Sequence, residues 1–295
     1  MSDVPGRDGR AAPVEAAVAA ARRLGLDVAR AEVLAERSNA IVALEPAGVV
    51  ARVAMDVRLA SRAAPVARGA YAREVAVTGR LAQLGAPVLA PTSLVAPGPH
   101  EAGGRLVSFW PRLRDAAAAG PYAAGRALGA CRAALDRVTG LPALWLLDEA
   151  AELARQPAVA KVLGRHAVAI AERLKCEREA LGDWRLVAVH GDAGLGNAVE
   201  VNGRVLWIDW EDVMHAPELW DAACLAATPL VFGERQRAVA ALSGLGVDPA
   251  DPDLKRLIHV RVLQTVPWSA FVVARGATSR ARLEQRLAWL DAHQR

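Results

Sequence analysis

Cysteine is rare in the sequence, with Cys131, Cys176 and Cys224 the only three in 295 residues. They lie 45 and 48 residues apart with no C-x-x-C, which argues against a zinc knuckle or a disulfide framework and for buried free thiols. Lysine is equally scarce. Of 36 basic residues only Lys161, Lys175 and Lys255 are lysines, and Ala160, Leu174 and Leu254 precede them, so no G-x-x-x-x-G-K-[S/T] phosphate loop exists. Charge of one sign is also lacking: the formal net charge of +4 is too small for a polyanion-binding surface, and no nucleic-acid partner is expected. No uninterrupted apolar run reaches the roughly 18 residues of a membrane span. The start, MSDVPGRDGR, has no apolar core of a signal peptide. A cytoplasmic protein without a membrane partner is therefore expected. There is no internal repeat, and no low-complexity segment beyond a bias to alanine.

What is present is material for a core, with 53% apolar and 23% charged residues, which excludes intrinsic disorder. After a loose tail over residues 1 to 13, positions 14 to 24 suit a helix that Gly25 ends. Ile41 to Leu44 and Val49 to Val53 flank Glu45-Pro46-Ala47-Gly48 and read as a hairpin. Tyr71 to Leu84 reads as a helix stopped by Gly85-Ala86-Pro87, followed by strands at Ser93 to Val95 and Leu106 to Trp110. Strand, strand, helix, strand, strand makes a small α+β lobe over residues 1–110.

Beyond Trp110 the pattern becomes helical, at 121 to 138, 157 to 180, 217 to 227, 234 to 242, 253 to 274 and 279 to 292. One β-type interruption breaks this second lobe, residues 111–295. Leu186 to Val189 runs into His190, and Ala198 to Val201 and Arg204 to Ile208 flank Asn202-Gly203, a dipeptide that favours a type I′ hairpin turn. Residues 1 to 140 carry 18 basic and 12 acidic groups, residues 141 to 295 carry 18 and 20, so the later part is mildly acidic.

The chemistry-bearing segment is His190-Gly191-Asp192-Ala193-Gly194-Leu195-Gly196-Asn197, then the hairpin, then Ile208-Asp209. Phosphoryl transfer requires a carboxylate to orient the attacking hydroxyl and accept its proton, and oxygen ligands to hold Mg2+ against a triphosphate. An Asp, an Asn five residues on and an Asp after the next hairpin meet both needs. The H-x-D-x-x-x-x-N spacing matches the catalytic loop of protein kinases, and Asp209 falls where their metal-binding Asp follows. Gly191 stands where those enzymes carry Arg, however, and Trp210-Glu211-Asp212 stands in place of Phe-Gly.

HGDAGLGN, IDWED and Pro217-Glu218-Leu219-Trp220-Asp221 together resemble the aminoglycoside phosphotransferase and choline kinase superfamily of small-molecule kinases. The resemblance extends over most of the chain in outline, with the specific motifs confined to residues 187 to 225. It implies a two-lobed α+β protein-kinase-like fold, with an antiparallel-sheet N-terminal lobe and a mainly helical C-terminal lobe. It also implies transfer of the γ-phosphoryl of ATP or GTP to a hydroxyl of a small-molecule acceptor. Asp192 is then the catalytic base, Asn197 and Asp209 hold Mg2+, and His190 and Asp221 are structural. Capping of the helix that begins near Asp221 is an alternative use of that carboxylate.

Kinases of this kind hold phosphate with a strand Lys paired to a helix Glu. Here Arg52 fills the strand position and Glu74 the helix position. A guanidinium fork can hold phosphates bidentately, although its bulk and shape differ from those of Lys. No glycine-rich loop precedes the first strand pair; Arg37-Ser38-Asn39 occupies the connecting turn, where the resemblance implies phosphate contacts from Ser38 and Asn39. It places adenine contacts in Ser108-Phe109-Trp110-Pro111, with Trp110 otherwise a core residue. Trp145, Trp184, Trp220 and Trp268 are candidates for substrate contact. Two other classes stay open: a nucleotide-binding module of weak or absent activity, motivated by Arg52, and a metal-dependent hydrolase using His190, Asp192, Asp209, Glu211, Asp212 and His215. Against the hydrolase, there is no H-E-x-x-H and no matched His pair.

Overall fold

The computed structural model describes residues 8–36, 38–55, 64–276 and 280–293. The chain divides into two compact units, one of Met1–Gln83 with Leu89–Asp115 and the other of Leu84–Val88 with Ala116–Arg295.

In the first unit, helix α1 (Asp8–Arg23) precedes strands β1 (Val28–Glu36), β2 (Asn39–Pro46) and β3 (Val49–Ala54), then helix α2 (Ala64–Gln83) and strands β4 (His100–Ala102) and β5 (Arg105–Pro111). The strands form one antiparallel sheet in the order β1-β2-β3-β5-β4. Side chains alternate across its two faces. Val42, Leu44, Val49, Ala51, Val53, Val107 and Phe109 share one face, which closes on Ala16, Ala17, Ala20 and Ala21 of α1. Four small side chains on one helix face let α1 approach the sheet closely. Arg52, Ser108 and Trp110 fall in the other phase, with Arg52 opposite Ser108 and Val50 opposite Trp110. The buried residues of α2, Ala67, Ala70, Tyr71, Glu74, Val77, Thr78 and Leu81, recur at helical spacing. Its Ala67 and Tyr71 pack with Ala54 and Leu106.

Several expectations fail here: α1 starts at Asp8, inside the expected loose tail, and α2 starts at Ala64 rather than at Tyr71. No strand forms over Ser93 to Val95; the partner of β5 is His100–Ala102, joined through Gly103-Gly104, both at positive φ as a two-residue hairpin turn demands. Pro91, Pro97 and Pro99 remove backbone donors from the earlier stretch, whose backbone bonds to Phe109 through Thr92 N–H and the Pro97 carbonyl. β1 is an unexpected strand. Most of its side chains are exposed and Arg30, Glu32 and Glu36 are charged, so it lacks an apolar run and forms as an edge strand through its pairing with β2.

In the second unit, β6 (Ala117–Ala118) is followed by helices α3 (Pro121–Leu135), α4 (Trp145–Arg155), α5 (Pro157–Leu163) and α6 (His166–Gly182), then β7 (Leu186–Val189). Strands β8 (Ala198–Val201), β9 (Arg204–Trp207) and β10 (Met214–Pro217) precede helices α7 (Trp220–Val231), α8 (Arg235–Leu245), α9 (Pro252–Ala274) and α10 (Ala281–Ala292). β7 pairs with β10, and β6 with the β8/β9 hairpin, whose turn is Asn202-Gly203 as expected. The single helix expected at 157 to 180 is two, because Gly164 turns the chain at a φ of +58°. Pro217 belongs to β10 rather than to a helix.

α9 starts at Pro252 with the Asp251 carboxylate accepting from the N–H groups of Asp253 and Leu254. By length and composition alone it is long and apolar enough to cross a membrane, although charged and polar residues interrupt its apolar run. More than half of its apolar window is buried within the protein, and it carries the buried Arg261 and Gln264. Cys131 and Cys224 are buried as expected, with burial pushing the Cys131 thiol up to about 12, whereas Cys176 is exposed.

Phe109 is fully enclosed between the sheet and α1. Phe109→Ala is expected to lower unfolding free energy by about 3–5 kcal/mol, read from urea denaturation. A loss below about 1 kcal/mol would show that the site collapses around the smaller side chain.

Candidate active site

The loop between β7 and β8 carries the His190–Asn197 motif, and its backbone is fastened from below. His190 N–H donates to Asp221 Oδ2 at 2.8 Å and Gly191 N–H to Asp221 Oδ1 at 3.0 Å. Asp221 sits in the first turn of α7 and is buried. Burial pushes its carboxyl above the ordinary range, against the opposing effects of His190, the two N–H bonds and Arg132. The Gly191 carbonyl accepts from Trp220 Nε1 at 3.0 Å, so α7 holds this residue on both sides of its backbone. Gly191 has φ +87°, and a Cβ there would lie 2.0 Å from the Asp212 carbonyl oxygen. No side chain fits at the position where protein kinases carry Arg.

His190 is fully buried, with Trp210 and Trp207 at ring distances of 4.3 and 5.3 Å. Asp192 N–H donates to its Nδ1 at 3.3 Å, so Nε2 carries the proton and donates to the Ile208 carbonyl at 3.0 Å. Both ring nitrogens are engaged by backbone groups, of Asp192 and Ile208, a structural use that leaves neither directed to a transition metal. Among the described residues no group of three or more His, Cys, Asp or Glu is arranged to hold a metal ion.

Above this base stand the polar groups. The Asp192 side chain is 36% exposed. Asn197 Nδ2 donates to the Asp192 carbonyl at 2.9 Å and faces Asp192 Oδ2 at 3.4 Å, which orients the amide with its oxygen left as an acceptor. Asp209 follows β9 with φ 65° and ψ 57°, a left-handed conformation that costs energy for a residue with a Cβ. Ile208 N–H donates to the Asn197 carbonyl at 2.9 Å, tying the residue before Asp209 to Asn197. An amide oxygen and a carboxylate suit a hard divalent cation such as Mg2+.

A residue outside the motif also reaches Asp192. Arg261 of α9, nearly buried, forms an ion pair from Nη2 to Asp192 Oδ1 and donates from Nη1 to Gln264 Oε1 at 2.5 Å. Its only sequence signal was a charge within the apolar stretch Leu257 to Val266.

In the first unit, Arg52 and Glu74 are both buried and form an ion pair between Nη1 and Oε2. The guanidinium lies 5.1 Å from the centre of the Tyr71 ring. Asn39 is the first residue of β2 rather than part of a turn, on the same sheet face and one diagonal step from Arg52. With its amide turned to satisfy both neighbours, Asn39 accepts from Arg52 Nη2 at 2.8 Å and donates to Tyr71 Oη. Ser38 lies at a bend and its carbonyl accepts from Met55 N–H at 3.2 Å; Arg37 falls outside the described residues. Trp110 is a buried strand residue whose Nε1 donates to Ser108 Oγ at 2.9 Å. Of the other tryptophans, Trp220 is fully buried under the loop, and Trp145, Trp184 and Trp268 are half-buried.

The family model of the phosphotransferase enzyme family matches residues 37–254. A search of curated proteins gave no match. Among solved structures, the chain is similar to amicoumacin kinase hAmiN in complex with AMP-PNP, Ca2+ and Ami, with 14% identity, a TM-score of 0.70 and 97% of this chain and 96% of that one covered. It is similar to the choline kinase LicA from Streptococcus pneumoniae at 16% identity, TM-score 0.64 and coverage of 94% and 99%. A choline/ethanolamine kinase family protein from Mesorhizobium loti aligns at 17% identity, TM-score 0.61 and 93% of each chain. The shared architecture is the kinase-like fold, an antiparallel-sheet unit followed by a mainly helical one.

Asp221→Asn would leave one of the two buried N–H groups facing an amide NH2 instead of an acceptor. Urea unfolding is expected to show a loss of about 1–3 kcal/mol. Unchanged stability would show that Asp221 does not brace the loop.

Proposed function

The chain belongs to the phosphotransferase enzyme family, and we propose that it moves the γ-phosphoryl group of ATP or GTP to a hydroxyl of a small molecule, acting in the cytoplasm. The observation that carries this reading is the loop of the second unit, in which a partly exposed Asp192 is bonded by Asn197, Asn197 is tied to the residue before Asp209, and the backbone is held by Asp221. Residues 111–295 supply this catalytic and acceptor machinery, and residues 1–110 the nucleotide contacts.

Asp192 orients the acceptor hydroxyl and takes its proton as the oxygen attacks. Asn197 Oδ1 and the Asp209 carboxylate would hold Mg2+, which when bound supplies positive charge against the phosphates. Arg52, fixed by Glu74, Asn39 and Tyr71, is the contact to the α- and β-phosphates. Asn39 acts here by orienting Arg52, Ser38 supplies a further phosphate contact, and the backbone around Trp110 meets adenine. The similar proteins act on choline or on amicoumacin by their names, in keeping with a small-molecule acceptor. A second reading, a nucleotide-binding module without turnover, is favoured by one observation: Arg52 takes the place of the usual Lys, inside a closed set of partners.

Calorimetric titration with ATP and GTP, with and without Mg2+, followed by turnover against hydroxyl-bearing compounds, separates the two. The phosphotransferase reading expects Mg2+-dependent binding and turnover; binding without turnover of any acceptor supports the module. Asp192→Asn is expected to keep nucleotide affinity and lose turnover by a factor of about 100 or more. Turnover at the original rate would remove Asp192 from the role of base. Arg52→Ala is expected to raise the nucleotide Kd about tenfold or more, equivalent to about 1.4 kcal/mol. An unaltered Kd would mean that the strand does not contact phosphate.

A further inference from the structure

Proton transfer and metal binding leave the Arg261 ion pair without a role. Arg261, Gln264, Thr265 and Trp268 recur at the spacing that puts residues on one face of α9. Thr265 Oγ1 accepts from Nε of Arg286 on α10 at 3.2 Å. The guanidiniums of Arg286 and Arg282 lie 5.2 and 5.0 Å from the centre of the Phe232 ring. Among the described residues no carboxylate is within 4.0 Å of either. Burial first, then the neighbouring Arg282 and Arg261, lowers the Arg286 guanidinium to about 10. Asp192 and Asp212 are the acidic groups that act on Arg261, and Asp192 is the base of the reaction.

The wall beside the base therefore carries three guanidiniums, of which only Arg261 meets a carboxylate among the described residues, and that carboxylate is the base itself. A polycationic acceptor would meet repulsion there, whereas an anion would gain charge-assisted hydrogen bonds. Arg261 already touches the oxygen pair that must receive the acceptor hydroxyl, so a negative group one or two carbons from that hydroxyl falls within reach of its guanidinium. We propose that the acceptor bears a carboxylate or phosphate close to the phosphorylated hydroxyl, and that Arg261 and Arg286 bind this anion. The inference rests on the phosphotransferase reading. In the reaction the acceptor oxygen bonds to the γ-phosphorus, the bond from that phosphorus to the β,γ-bridging oxygen breaks, the nucleoside diphosphate leaves with the electron pair, and the hydroxyl proton passes to Asp192.

Four small probes on one three-carbon scaffold test the charge rule: D-glycerate, glycerol 3-phosphate, glycerol and 3-amino-1,2-propanediol, each titrated into the full chain saturated with Mg·AMP-PNP. At least one anionic probe is expected to bind ten times or more as tightly as glycerol, with the aminodiol weakest. Glycerate ahead of glycerol 3-phosphate assigns a carboxylate, and the reverse order a phosphate. Arg261→Gln and Arg286→Gln are each expected to weaken the anion at least tenfold, with Mg·AMP-PNP binding by each variant reporting that it is folded. The proposal is overturned if the aminodiol binds best, if neither anion binds a protein that binds Mg·AMP-PNP, or if the anion binds both variants as it binds the original. Failure of the original protein to bind Mg·AMP-PNP would instead defeat the phosphotransferase reading. The same titrations without nucleotide then judge the arginine wall separately, by the same affinity order.

Discussion

Everything at the candidate site depends on one carboxylate accepting two consecutive backbone N–H groups. A turn as tight as His190-Gly191 points successive N–H groups toward the same side, where burial would leave them unsatisfied without an acceptor. Asp221 fills that need from the first turn of α7, and Trp220 Nε1 bonds the Gly191 carbonyl from the neighbouring position. Hydrogen bonds to a charged acceptor contribute about 1.5–3 kcal/mol each, enough to offset part of the desolvation of a buried carboxylate. The chain is thereby fixed on both sides of Gly191, and Asp192, one residue on, is presented with a third of its side chain exposed. Of the two uses expected for Asp221 the structure shows the brace: no side chain caps α7, and both carboxylate oxygens go to the loop. The place of Asp221 in the first turn of α7 is what brings it under the loop.

The same economy governs Arg52 in the first unit. A buried ion pair is weak evidence for stability, because desolvating both charges cancels much of their attraction. Its geometric effect is stronger. Glu74 takes one nitrogen, Asn39 takes another, and the Tyr71 ring lies against the guanidinium. A lysine ammonium on a flexible stem has no plane to hold in this way, so the Asn39 and Tyr71 contacts are matched to an arginine. The replacement of Lys is accommodated by neighbours of complementary shape, and the position keeps a fixed cation beside the sheet.

The parts legible in the sequence are those whose cause is local. Asp192, Asn197 and Asp209 lie within 18 residues, and the Asn202-Gly203 turn between them announces the hairpin that brings the last two together. Arg52 and Glu74 could be paired because the strand and the helix were each readable. What stayed hidden has distant causes. β1 has only a weak apolar phase, mostly alanine with Val33, and forms as an edge strand through its pairing with β2. Strand β10 exists through pairing with β7, and α4 starts at Leu144 in a left-handed conformation with no capping side chain, so no start signal is written in the chain. Asn39 read as a turn residue because Asn favours turns, and only the β2–β3 register reveals that it faces Arg52. Arg261 lies 69 residues from Asp192, joined to it by the packing of α9.

That last contact bears on how a base can be paired and still serve. On the Asp192 side this ion pair is open to water and partly screened, whereas on the arginine side it is shielded. Arg261 is nearly buried, so it needs an anion beside it, but the carboxylate it currently meets has a third of its side chain in solvent. The cost of exchanging that partner for another anion is small as long as the guanidinium is never left alone. Gln264 keeps one side of the guanidinium hydrogen-bonded throughout, which fixes its plane while the other side changes partner. A buried arginine fixed by a neutral amide, next to a base that also faces solvent, thus supplies a cation that can pair with Asp192 or with an incoming anion. A neutral or cationic acceptor offers no second partner, and for it Arg261 would remain on Asp192, competing with the hydroxyl for the oxygen that must receive its proton.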